Sequence, residues 1–341
     1  MKRLGGTAMH RTQLAIQPEF SPLRPDVAFV FPGQGSQSVG MLAEAAAAYS
    51  CVQTTFAEAS EVLGVDLWEM AQQGDAETLA MTANTQPLIL AASIALYRAW
   101  ELEGGVRPAM VAGHSLGEFS ALVAAGALQF GDAIQLVRLR GQAMQEAVPV
   151  GDGAMAAVLG LDDALINQIC AEISTGDDHQ VLAVNFNSPG QVVIAGHSTP
   201  VGEASVALKA AGAKRVMPLP VSAPFHTPLM GHAAMVLSDA LGSTPLADPS
   251  VPVVSNVTGE PLQDAATISE ALIEQVVSPV QWTRCVATMR DSGCNHFVEC
   301  GPGKVLSGLL RRIDRVAEAH CIEAPDSLRA ARDELHIESP V

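Results

Sequence analysis

The chain has 341 residues, 48% of them hydrophobic and 16% charged, which is ample for a large core. By length that means two domains or one large domain with an insertion. Its net charge of −17 excludes a general nucleic-acid-binding surface, since phosphate contacts need a basic face. No apolar run reaches the roughly 18 residues of a membrane span.

Aromatics make up only 4%, while Ala, Val, Leu and Gly dominate, a composition suited to helices packed closely on a sheet. Six cysteines (Cys51, Cys170, Cys285, Cys294, Cys300 and Cys321) form no C-x-x-C pair. They read as buried thiols of a reducing cytoplasm.

Residues 1–25 are basic without a continuous apolar stretch, so they read as a disordered leader rather than a signal peptide. "VAFVFPGQGSQ" reads as a buried strand entering a Gly-rich loop, and the Ala-rich stretch from Met41 to Gly64 as one helix. "NTQPLILAASIALYRAWELEGG" reads as a long helix with Pro87 in its first turn. "RPAMVAGHS" is a strand, "LGEFSALVAAGAL" the helix leaving it, and "FGDAIQLVRLRGQAMQEAV" a further helix capped by Asp132. This order predicts an α/β fold with a largely parallel sheet over residues 26–150 and 222–320.

Residues 151–221 read strand, helix, strand, strand, helix, strand. This βαββαβ order predicts an inserted ferredoxin-like subdomain. "SAPFHTPLM" then opens a helix, "VPVVSNVTG" and "HFVECGPG" are strands of the larger body, and residues 321–341 are expected to be a C-terminal tail.

"GHSLG" carries the G-x-S-x-G spacing of a nucleophile elbow around Ser115. There the N–H of Leu116 and the following helix N-terminus favour an oxyanion. An ordinary βα turn with a capping serine has the same letters. Of nine histidines, His226 in a Pro-bracketed loop is the candidate base. His114 reads as a packing residue, and His179, His197, His232, His296 and His320 as surface.

"FPGQGSQ" lacks the G-K-[ST] of a P-loop and the G-x-G-x-x-G of a dinucleotide site, so Gln34 fits a second oxyanion donor better. Arg140, within an apolar helix, is either a snorkelling surface residue or a fixed fork for a carboxylate. The clusters Lys209–Lys214–Arg215 and Arg311–Arg312–Arg315 read as solvated helix faces.

With those residues stand "TQPLILAAS", "GHSLGEFSALVAAGAL", "NFNSPGQVVIAG", "PFHTPLM", "VVSNVTG", "QVVSPVQWT" and "ECGPGKVLSGLLRRI". Together they make the chain, from Val27 to about Ile313, resemble the malonyl-CoA:acyl carrier protein transacylases of bacterial fatty-acid synthesis. More distantly, it resembles the acyltransferase domains of polyketide synthases. The resemblance implies an α/β-hydrolase-like catalytic subdomain, with Ser115 as nucleophile, His226 as base and the main-chain carbonyl of Gln275 orienting the imidazole. It implies an oxyanion hole from the N–H groups of Gln34 and Leu116, and Arg140 pairing with the malonyl carboxylate. Phe225 and Asn187, beside His114, would line the pocket.

It further implies malonyl-CoA and acyl carrier protein as partners, with no metal, no cofactor, no nucleic acid and no membrane, and a cytoplasmic monomer. The alternatives are a polyketide-pathway acyltransferase or a serine hydrolase or thioesterase. The latter's usual order, Ser, then Asp or Glu, then a histidine near the C-terminus, does not match this chain. An unperturbed His226 would set the acid limb of activity near ~6.5.

Overall fold

The computed structural model describes residues 22–221 and 223–337. Most of the expected leader therefore lies outside the described residues, but its end does not. Strand β1 runs Leu23–Phe31, four residues earlier than the apolar pattern suggests. Buried Arg24 holds both carboxylate oxygens of Asp26, at 2.8 and 2.7 Å, which makes a polar start to a strand affordable.

Helices α1 (Ala43–Ala48), α2 (Ser50–Leu63), α3 (Leu67–Gln73), α4 (Ala76–Ala80) and α5 (Thr82–Leu102) follow. The single helix expected from Met41 breaks at Tyr49, which is extended and turns its side chain inward, its hydroxyl 3.2 Å from Arg329 Nη1. Pro87 lies in the second turn of α5, not the first. It leaves the Ala83 carbonyl without its helical donor, and Arg138 fills the gap at 2.8 Å.

Next come β2 (Arg107–Gly113), α6 (Gly117–Ala124) and α7 (Phe130–Glu146). Asp132 is not the cap of α7; Gln129 occupies that place and Asp132 sits in the first turn. There its charge still favours the helix N-terminus.

Residues 153–218 form β3 (Gly153–Leu159), α8 (Asp163–Ile173), β4 (Val181–Ser188), β5 (Gln191–His197), α9 (Ser198–Ala210) and β6 (Arg215–Pro218). Their antiparallel sheet has the order β4-β5-β3-β6, the ferredoxin-like arrangement.

A 3₁₀ turn, Pro228–Met230, leads into α10 (Gly231–Leu241), then β7 (Val253–Val254), β8 (Pro261–Leu262), α11 (Ala265–Val277) and α12 (Trp282–Asp291). The chain closes with β9 (His296–Glu299), α13 (Val305–Ile313), β10 (Glu318–Cys321) and α14 (Pro325–Ile337). The expected tail, residues 321–341, instead begins at the last residue of edge strand β10 and continues into a packed helix. Leu328, Ala331 and Leu335 of α14 are buried in the main core; residues 338–341 lie outside the described residues.

The large sheet has the order β10-β9-β1-β2-β7-β8, parallel except for β8. Strand β1 explains its layering. Val27, Phe29 and Phe31 enter the core on one face, while Ala28 and Val30 enter the core on the other, so both faces carry helices. The fold is α/β with a large parallel-rich sheet and a smaller ferredoxin-like one. No helix among the described residues is long and apolar enough to cross a membrane.

Candidate active site

Phe31 and Gly113 are register partners at the carboxyl ends of β1 and β2, where parallel sheets collect ligands. The two loops leaving them touch through glycines. A Cβ on Gly33 would stand 2.5 Å from the His114 carbonyl oxygen, one on Gly117 2.1 Å from that of Phe31, and one on Gly113 1.8 Å from the backbone of Gly117. Only glycine permits these approaches, so the G-x-S-x-G letters are steric requirements. Ser115 between them has φ 52°, a strained position for a side-chain-bearing residue.

Asn256 holds that strained turn. Its Oδ1 accepts from the Ser115 N–H at 2.6 Å, and its Nδ2 donates to the Gly113 carbonyl at 2.6 Å.

The Ser115 hydroxyl donates to His226 Nε2 at 2.8 Å, and His226 Nδ1–H donates to the Gln275 carbonyl at 2.8 Å. The second bond is available for a local reason. The helical partner of the Gln275 carbonyl would be the N–H of residue 279, which is proline and has none. Burial, reinforced by the nearby Arg140 charge, pushes the imidazole down to about 3. His226 is therefore neutral at physiological pH, with Nε2 free to accept a proton.

Arg140 is 1% exposed and is no snorkelling residue. Nη1 donates to Gln86 Oε1 at 2.9 Å and Nη2 to Gln275 Oε1 at 2.8 Å, leaving Nη2 3.4 Å from Ser115 Oγ. Gln86 and Gln275 occupy two of its five N–H donors, and Nε has no partner among the described residues. Gln275 also donates from Nε2 to the Ser115 carbonyl at 3.0 Å and to Glu118 Oε2 at 2.7 Å. Burial pushes the Glu118 carboxyl up to about 7, against the hydrogen bonds it accepts from Gln275 Nε2 and, at 3.3 Å, from the Asn256 N–H, and against the Arg140 charge.

Ser115, His226, Arg140, Gln34 and Leu116 line one cavity of about 270 Å³, closed on its other side by the small sheet. Among the described residues no hydrogen bond takes up the N–H of Gln34 or Leu116. Phe225 and Asn187 also line the cavity, as does His114, whose Nε2 lies 2.7 Å from Asn187 Oδ1 and whose ring packs 5.6 Å from Trp282. Gln275 reaches the site through its carbonyl and amide rather than the cavity wall.

The acyl transferase domain family matches residues 28–322. The chain belongs to that family. It is 55% identical to the malonyl CoA-acyl carrier protein transacylase of Salmonella typhimurium over 304 residues, 89% of this chain and 98% of that protein. It is 44% identical to the Bacillus subtilis protein of the same name over 313 residues, 92% of this chain and 98% of that one. An acyl carrier protein S-malonyltransferase from Vibrio cholerae superposes with TM-score 0.87 at 52% identity, covering 89% of this chain and 99% of its own. A malonyl-transacylase solved in complex with a type II PKS acyl-carrier protein superposes with TM-score 0.89 at 50% identity, covering 91% and 99%.

Within this acyl transferase domain, three residues at the site escape a reading of the sequence: Asn256, Glu118 and Gln86. Each contacts partners more than 50 positions away. The one available signal was polar residues set inside otherwise apolar stretches.

Proposed function

We propose that the chain transfers a malonyl group from malonyl-CoA to the phosphopantetheine thiol of an acyl carrier protein in fatty-acid synthesis. The observation that carries this reading is a buried guanidinium 3.4 Å from a serine hydroxyl that already donates to a neutral imidazole. The relay supplies a nucleophile and the guanidinium supplies a partner for the free carboxylate of the malonyl group.

His226 takes the Ser115 proton as Oγ attacks the thioester carbonyl. The N–H groups of Gln34 and Leu116 receive the oxyanion, an interaction whose loss typically costs ~100-fold or more. The C–S bond breaks, the histidine proton goes to the CoA sulfur, and the acyl-serine remains. The carrier thiol then enters, gives its proton to His226 and attacks the ester carbonyl. As the Ser115 Oγ–acyl bond breaks, His226 returns that proton to Oγ and the acyl group leaves on the carrier sulfur. The Gln275 carbonyl holds the imidazole tautomer throughout, in the place an acid holds in a Ser-His-Asp triad. Six free cysteines fit a reducing cytoplasm as its location.

Intact-mass measurement after mixing with malonyl-, methylmalonyl- or acetyl-CoA tests the reading. One malonyl adduct is expected, mapped to Ser115 and discharged by holo acyl carrier protein faster than by water. No adduct, or discharge by water alone, would sink it in favour of a binding subunit or a hydrolase. A polyketide carrier is the second reading, supported by the solved type II PKS complex. Preferential transfer to such a carrier would establish it.

A further inference from the structure

A group of metal-binding side chains lies away from the cavity. On the edge of the large sheet, His296 of β9 is the register partner of Glu318 of β10, and His320 follows two residues on. The two-residue period of a strand puts Glu318 and His320 on one face, and His296 meets them across the ladder. His320 Nε2 is 3.5 Å from His296 Nδ1, and Glu318 Oε2 is 3.6 Å from that same nitrogen. One ligand atom from each of the three side chains falls within 4.8 Å of the others. Four-coordinate zinc, with bonds of ~2.0–2.1 Å, spaces its ligand atoms ~3.3 Å apart. Two of the three edges are already close to that value, and Glu318, 55% exposed, can rotate to close the third.

The outward-facing nitrogens give a second, independent indication. His296 turns Nε2 to Asp26 Oδ2 at 3.7 Å, and His320 turns Nδ1 to Glu334 Oε2 at 3.8 Å. An imidazole that ligates a metal through one nitrogen commonly directs the other to a carboxylate, which fixes its tautomer and raises its basicity. Both rings have such a carboxylate at ion-pair distance, through opposite nitrogens, near enough for a small side-chain shift to make the bond. Their side chains are only 8% and 9% exposed, so packing sets their orientation, while half-exposed Glu318 and Glu334 leave a way in from solvent. The Asp26 charge is balanced by Arg24, and the glutamates leave a negative local field that suits a dication.

We infer that His296, His320 and Glu318 form a zinc-class divalent metal site, completed by water, that ties β9 to β10 beneath α14. Two imidazoles and a carboxylate suit zinc, nickel or copper better than magnesium or calcium. Cys321 takes no part: it faces the other side of the strand, with Sγ 3.1 Å from Ser307 Oγ. His296 opens β9, whereas Ser115 follows the far end of parallel β2. The metal is therefore structural rather than catalytic.

The test is zinc titration of the chelator-stripped full chain by calorimetry, with thermal unfolding in parallel. One zinc per chain is expected, with a rise in Tm that chelator reverses. His320→Gln and Glu318→Gln should each weaken zinc binding about tenfold or more and abolish that rise. Should His320→Gln fail to fold, the exposed Glu318→Gln carries the test alone. Cobalt(II) in place of zinc should give a visible spectrum without a thiolate charge-transfer band. No stoichiometric binding in micromolar zinc, affinity unchanged in Glu318→Gln, or a thiolate band would each overturn the assignment.

Discussion

The two walls of the cleft are held in different ways. On the large-sheet wall, Ser115, His226, Arg140, Gln275 and Glu118 form a closed hydrogen-bond circuit in which each member touches at least one other. On the small-sheet wall, Met155, Val193 and Leu219 present apolar surface, and Asn187 makes a polar contact across to His114. The first wall positions charge and protons; the second bounds a volume. Removing a member of a buried circuit strands its partners without hydrogen bonds, whereas trimming a boundary only enlarges space. Substitution effects should therefore differ sharply between the walls.

The largest effect should come from Arg140→Ala. It removes the proposed carboxylate partner and leaves Gln86 Oε1 and Gln275 Oε1 without their donor. Malonyl transfer should fall by about 2–4 kcal/mol in kcat/KM, roughly 30- to 1,000-fold, with a smaller loss for acetyl-CoA. Equal losses on both substrates would reduce Arg140 to a support for Gln275 and blur the contrast between the walls.

The pH profile of kcat/KM sharpens the same contrast. Free imidazole titrates near ~6.5, the value an unperturbed His226 would give, but this imidazole is held down to about 3 by burial and by Arg140. As the proposed base, His226 acts in its neutral form, so lowering the pH through 6 should leave its limb intact and only stronger acid should remove it. In Arg140→Ala the neighbouring charge is gone and the limb should move up toward neutrality. The same depression acts on stability. The folded state binds a proton on His226 less readily than the unfolded chain, so this residue makes folding less favourable as the pH falls below ~6.5. An inflection near 7 belongs to Glu118 and should vanish in Glu118→Gln. A wild-type limb at 6.5 that survives Glu118→Gln would show that the circuit does not perturb its base.

The elbow and β1 were legible because local rules write them. The two elbow glycines are forced by backbone approaches under 2.2 Å, and the alternation of β1 exposes both core faces. The oriented imidazole was legible only through family resemblance, although Pro279 carries the local reason for the free Gln275 carbonyl. Asn256 and Glu118 were not legible, because their partners lie 141 and 138 positions away. The C-terminal helix is no tail: Leu328, Ala331 and Leu335 recur at helical spacing and are buried, a pattern concealed when the segment is read only by its charged residues. His296 reads as surface from its polar setting beside Asn295, yet it is buried on the sheet face that α14 covers.

The smallest effect should come from the boundary wall, with Asn187→Ala. Asn187 Oδ1 is the partner of His114 Nε2, and its loss removes one hydrogen bond, worth about 1 kcal/mol. The His114 ring stays packed against Trp282, and nothing in the Ser115–His226–Gln275 relay passes through it. Transfer should drop less than about tenfold, mainly through a raised KM, with the pH profile unchanged. A loss comparable to that of Arg140→Ala, or a displaced acid limb, would place Asn187 inside the circuit. The division between a positioning wall and a bounding wall would then have to be redrawn along His114.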